Sequence, residues 1–165
     1  MSSRGAGGQR GMSDHDNTPP EMQRLALFVG DWTLAAGFGG EPSGEPLGRA
    51  TFEWALGDQY VIEKSTVDVP EAPDGLAVMA WHPHENRYVQ HYFDSRGVTR
   101  LYEMEFDGRV WKLQRGNEDF SALSFNQRYE GVFSDDGHTI DGHWDVQEPG
   151  EEWRKDFDLI YRRVD

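Results

Sequence analysis

The chain has 165 residues, the length of one domain, and 13% of them are aromatic, with six Trp and nine Phe, enough to build a sizeable core. Sixteen Lys and Arg against 30 Asp and Glu leave a net charge of −14, a field that repels phosphate backbones and anionic bilayers and argues against nucleic-acid and membrane partners. The absence of cysteine excludes disulfides, thiolate metal sites and thiol nucleophiles together.

Residues 1–19 are rich in Gly, Ser and Asp and are expected to form a disordered leader, with Met12 as an alternative start. Arg4 and Arg10 cancel Asp14 and Asp16, so the negative charge belongs to the remaining domain, residues 20–165. No apolar run approaches the roughly 18 residues of a membrane span, and the first residues lack the apolar stretch of a signal peptide. A cytoplasmic location is the default expectation.

After Pro19-Pro20, apolar residues at Met22, Leu25, Ala26 and Val29 fall near helical spacing and end at Gly30, which predicts a short helix over 21–28. Two turns are not stable alone, so its apolar stripe must cover something, and the open end of a barrel is the natural partner. From Asp31 the pattern is that of an antiparallel meander. A first strand over 32–36 precedes a Gly/Pro-rich loop over 37–48. Ala50, Phe52, Trp54 and Leu56 then alternate with Thr51 and Glu53, the period of a half-buried strand. Gly57-Asp58 turns into a strand over 59–68, followed by strands over 75–82 and 88–94. Asp107-Gly108 is a hairpin signal between strands over 98–106 and 109–115. After a polar loop over 116–124, three more strands are expected over 125–133, 139–147 and 153–162. About ten strands joined by hairpins, with a single short helix, predict an all-β antiparallel barrel.

Gly30-Asp31-Trp32 after a short helix resembles the Gly-x-Trp signature of the lipocalin and calycin superfamily. In that superfamily the Trp closes the barrel floor under an Arg near the chain end, a role the resemblance assigns to Trp32 and to Arg162 or Arg163, with Arg162 preferred. The stretches 28–32 (FVGDW), 51–57 (TFEWALG), 73–78 (PDGLAV), 90–97 (QHYFDSRG) and 156–163 (DFDLIYRR) are similar to a bacterial lipocalin-like family of unknown function. The resemblance covers most of residues 25–164 and implies a fold but no activity.

If the turn at Ser95-Arg96 or Arg96-Gly97 has two residues, His91 shares an inner face with Arg100 and Tyr102, together with Val89, Phe93, Val98 and Met104. The same parity turns Val78, Ala80 and His82 inward. The Gly57-Asp58 turn places Trp54 and Val61 inside, with Glu63 a further candidate, and Gln127 and Lys155 fall among the inward aromatics of the last strands. A guanidinium inside a barrel stays charged and needs an anion beside it. Arg100 and the Tyr102 hydroxyl therefore suit a ligand carboxylate, sulfate or enolate, a spacing similar to the carboxylate clamp of fatty-acid-binding proteins. The alternative is an internal ion pair with Glu63 or Asp94.

The reading favoured by these residues is a binding barrel for a small hydrophobic or aromatic molecule. Trp54, Trp144 and Phe157 would be its walls, and Arg100, Tyr102, His91 and Gln127 its polar contacts. A cofactor-independent isomerase or cyclase could use the same cavity, with His91 moving a proton. A filled core with no ligand is a third reading. His82-Pro83-His84 is a poor metal motif because the Pro favours a turn, and no metal site is expected. Heme is an alternative by resemblance to nitrobindins, which hold it through a His near the chain end. The last strand here has no His, and His143 one strand earlier has outward parity. Besides the ligand, a second copy of the chain in a homodimer is left open as a partner.

Overall fold

The computed structural model of the protein describes residues 18–37 and 45–165. The expected leader thus lies almost entirely outside the described residues, as does most of the loop expected over 37–48. Pro20 opens helix α1 (Pro20–Arg24), where a missing N–H costs nothing, and the chain runs directly into a 3-10 turn, Leu25–Leu27. Ten strands follow: β1 (Gly30–Gly37), β2 (Gly48–Ala55), β3 (Tyr60–Val67), β4 (Gly75–His82), β5 (Arg87–Asp94), β6 (Thr99–Phe106), β7 (Val110–Arg115), β8 (Asn126–Phe133), β9 (Thr139–Gln147) and β10 (Arg154–Arg163). Each pairs antiparallel with the next. The last pairs with the first, Trp32 opposite Arg163 and Leu34 opposite Tyr161, so the sheet closes into a barrel and leaves no free edge. Among the described residues no helix is long and apolar enough to cross a membrane.

The helical segment seals one end. Phe28 is fully buried and its ring packs 4.9–5.4 Å from those of Phe52, Phe106, Trp111 and Phe133, a plug whose burial is worth about 2–3 kcal/mol. Trp32 Nε1 donates to the Phe28 carbonyl at 2.8 Å, and the Tyr88 hydroxyl donates to the Glu21 carbonyl at 2.6 Å. The guanidinium lying over Trp32, 4.2 Å from the ring centroid, belongs to Arg163, which also donates to the carbonyls of Val29 and Leu27. Arg162 is exposed on the outer face, so the expected closure is formed one residue later.

The β5–β6 turn differs from the expected two-residue type. Ser95, Arg96 and Gly97 form a three-residue loop in which Gly97 adopts φ +81° and the Asp94 N–H donates to the Val98 carbonyl at 3.1 Å. One additional residue flips every side chain of the partner strand. Tyr92 therefore stands opposite Arg100 and Gln90 opposite Tyr102, while His91 faces Leu101. His91 is on the outer face. Val78, opposite His91, follows it outward with Ala80, His82, Val89 and Phe93, and Ala77, Met79, Gln90 and Tyr92 take the inner positions. A second irregularity between Lys155 and Phe157 turns Lys155 to solvent, where its ammonium pairs with Asp158 at 2.6 Å.

Candidate functional site

Above the aromatic floor the barrel keeps a cavity of about 440 Å³ that opens at the rim. Its lower wall is aromatic, with Trp111, Tyr129, Trp144 and Tyr161. The Tyr129 ring lies against the inner wall over Gly131 of β8 and Gly142 of β9, where a Cβ at either would collide with it. Phe157 lines the cavity as expected; Trp54 packs on the hydrophobic core and is not part of this wall.

Toward the rim the side of the wall formed by β5, β6 and β8 becomes polar, while Leu47, Val67, Val69 and Pro73 keep the other side apolar. Arg100 Nη1 donates to Gln127 Oε1 at 3.2 Å, and the Tyr102 hydroxyl donates to the same oxygen at 3.1 Å. Three residues singled out in the sequence thus meet in one cluster. Burial pushes the Tyr102 hydroxyl upward in pKa, against the opposing pull of Arg100, so it stays a donor. Arg100 Nε is buried and makes no hydrogen bond among the described residues. The Phe125 ring lies 5.9 Å from the guanidinium carbon.

Neither carboxylate considered as an internal partner is used on Arg100. Asp94 is committed to the rim turn: it accepts from Arg96 Nη2 at 2.7 Å and from the Tyr92 hydroxyl at 2.9 Å. Burial would raise its pKa, but these donors and the Arg96 N–H outweigh it and hold the carboxyl at about 2. Glu63 accepts the Tyr161 hydroxyl at 2.9 Å. Burial pushes its pKa up to about 7, the Tyr161 hydrogen bond offsetting only part of that rise.

Phe125 is held near Arg100 by a loop the sequence had shown as merely polar. Arg115 and Asp119, both buried, form a pair at 2.8 Å; Asp119 also accepts the Leu101 and Ser121 N–H groups, and Arg115 donates to the Ser121 carbonyl. This ties residues 116–125 across β6. Between that loop and β5 lies an outer groove that contains His91 and His82, ring centroids 6.2 Å apart. Burial and the neighbouring His82 lower the His91 pKa, and the ring lies outside the lumen. Among the described residues no cluster of three or more His, Cys, Asp or Glu is arranged to hold a metal ion. None of the residues lining the described cavity is a histidine.

Sequence reasoning missed Gln90 and Tyr92 as lumen residues; Gly97 as the left-handed third residue of the turn was the signal that would have placed them. It did not single out Tyr161, although the partner of its hydroxyl, Glu63, was already a candidate.

A family described as "Protein of unknown function (DUF1579)" matches residues 17–163. The chain belongs to this family. No curated protein matches the sequence. Among solved structures, the crystal structure of Rv2717c from M. tuberculosis is similar with a TM-score of 0.55 at 13% identity, over 90% of this chain and 100% of that one. At that identity the likeness concerns the barrel fold alone.

Proposed function

We propose that the barrel binds a small apolar or aromatic molecule carrying an anionic group, which Arg100 holds inside the lumen with help from the Tyr102 hydroxyl. The observation that carries this reading is a cavity-lining guanidinium whose hydrogen-bonded neighbour is a neutral amide, with no carboxylate paired to it among the described residues. An uncompensated guanidinium on an apolar wall costs desolvation energy, and a bound anion repays it through charge-assisted hydrogen bonds. The strongly negative chain repels anions elsewhere, so selectivity for one must come from this local positive charge. The closure of Trp32 under Arg163 supports reading the barrel as calycin-like. The isomerase alternative loses its proton carrier with His91 on the outer face.

The reading is tested with two fluorescent probes of similar apolar body, anilinonaphthalene sulfonate and the uncharged N-phenylnaphthylamine. The wild type should bind the sulfonate more tightly. Arg100→Met should weaken the sulfonate about 10- to 100-fold, the range expected for one charged hydrogen-bonding group, and leave the neutral probe within about twofold. Equal effects on both probes would contradict the reading.

A further inference from the structure

Glu63 is left unused by an anion held at Arg100. β3 carries it inward opposite Phe52, near the floor, whereas Arg100 stands second in β6, close to the rim turn. The two lie in one continuous row across the sheet, Glu63 opposite Ala77, Ala77 opposite Tyr92, and Tyr92 opposite Arg100. Three strand spacings of roughly 4.8 Å put them at most about 14 Å apart along the wall. One Glu63 oxygen is fixed by the Tyr161 hydroxyl. The other makes no hydrogen bond among the described residues, and no cation there pairs with the carboxyl.

A structural tie between β3 and β10 does not account for a carboxyl at this position. Tyr161 needs only an acceptor, which a glutamine would supply without an ionisable group to desolvate. The lumen therefore contains two ionisable groups without a charged partner, of opposite sign and at opposite depths. The same cavity has an aromatic wall, Tyr129, Trp144 and Phe157, that suits a flat body.

We propose that the ligand is dipolar: an aromatic molecule that places an anionic group on Arg100 and a basic nitrogen on the free oxygen of Glu63. This rests on the Arg100 reading and adds the chemistry of the deep end. On binding, the Glu63 carboxyl is ionised and accepts an N–H from the ligand cation, so each end of the lumen is neutralised by its own partner. The raised proton affinity of Glu63 in the free protein is the cost of an empty deep end.

The test uses biphenyl carboxylate and the same molecule with an aminomethyl group at the far para position, titrated calorimetrically at neutral pH. Wild type should prefer the aminomethyl compound by about tenfold or more. Glu63→Gln, which keeps the acceptor for Tyr161, should abolish that preference and leave the plain carboxylate unaffected. Arg100→Met should weaken both compounds alike. Equal affinities in the wild type, or a preference that survives Glu63→Gln, would overturn the deep subsite while the Arg100 reading stood. Unchanged binding in Arg100→Met, or no binding of either probe to the wild type, would overturn both. Should Glu63→Gln fail to fold, carbon-13 NMR of the wild-type Glu63 carboxyl decides: its pKa should fall when the aminomethyl compound binds, and an unchanged titration would refute the proposal.

Discussion

The floor of this barrel and the cavity above it share the same ten strands and obey opposite rules. On the floor, Phe28, Phe52, Phe106 and Phe133 interlock, and the polar atoms of Trp32, Tyr88 and Arg163 are spent on backbone carbonyls. In the cavity above it, Arg100 near the rim and Glu63 at the deep end are held inward without ionic partners among the described residues. Satisfied packing of the first kind explains why the protein folds. Unmatched charge of the second kind is not explained by folding, since apolar side chains of similar size would be less costly there. The proposed ligand site follows from that contrast and lies in the cavity rather than in the plug.

The largest effect should come from the floor. Phe28→Ala removes the ring around which four others pack and should cost about 3–5 kcal/mol in chemical denaturation. A loss under about 1 kcal/mol would show that the plug is dispensable and would break the comparison.

Asp119→Ala leaves the buried Arg115 charge unpaired and should cost about 3–5 kcal/mol, while also freeing the loop that seats Phe125 beside Arg100. Unfolding curves, read together with sulfonate-probe binding, check both consequences. Stability loss with unaltered probe binding would detach this loop from the site.

Glu63 gives a pH signature of opposite sign to that of an ordinary ion-paired carboxylate. Its proton is held up to about pH 7 in the folded chain but is lost in the usual carboxyl range on unfolding. Through that window the folded state binds more protons, so stability is full at acid pH and falls as pH rises, by about 3 kcal/mol in all by roughly pH 8. Glu63→Gln should flatten this slope. Urea midpoints measured from pH 5 to pH 8, with no difference between the two proteins, would show that the carboxyl ionises as freely as in water.

The smallest effect should be that of His91→Gln. With its ring in the outer groove, the substitution should leave stability within about 0.5 kcal/mol and anionic-probe affinity unchanged. A tenfold loss of affinity would return His91 to the ligand.

Strand number, the capping helix and barrel closure were legible because alternation and hairpin signals repeat through the chain, so that several independent segments agree. Trp54 opposite Val61 came out correctly because both sides of the Gly57-Asp58 turn kept their parity. Register at residues 94–99 depended on a single loop length. Ser95-Arg96-Gly97 accommodates two turn types that differ by one residue, and the error passed through β5 into β4, carrying Val78, Ala80 and His82 to the wrong face. The choice between Arg162 and Arg163 was decidable: Phe157, Leu159 and Tyr161 point inward, and that period leads to Arg163. Lys155 was not, because the irregularity between it and Phe157 has no mark in the sequence. Arg115 with Asp119 has the i, i+4 spacing of a helical pair, but Arg115 ends β7 and Asp119 lies in the loop after it, where spacing does not predict contact.

The most direct test is side-chain NMR of the wild type during titration with anilinonaphthalene sulfonate. The guanidinium N–H signals of Arg100 should shift together with resonances of Phe125, Gln127 and Trp144, while His91 and Leu101 in the outer groove stay still. Movement of His91 and Leu101 with a silent Arg100 would place the ligand outside the barrel and contradict the account.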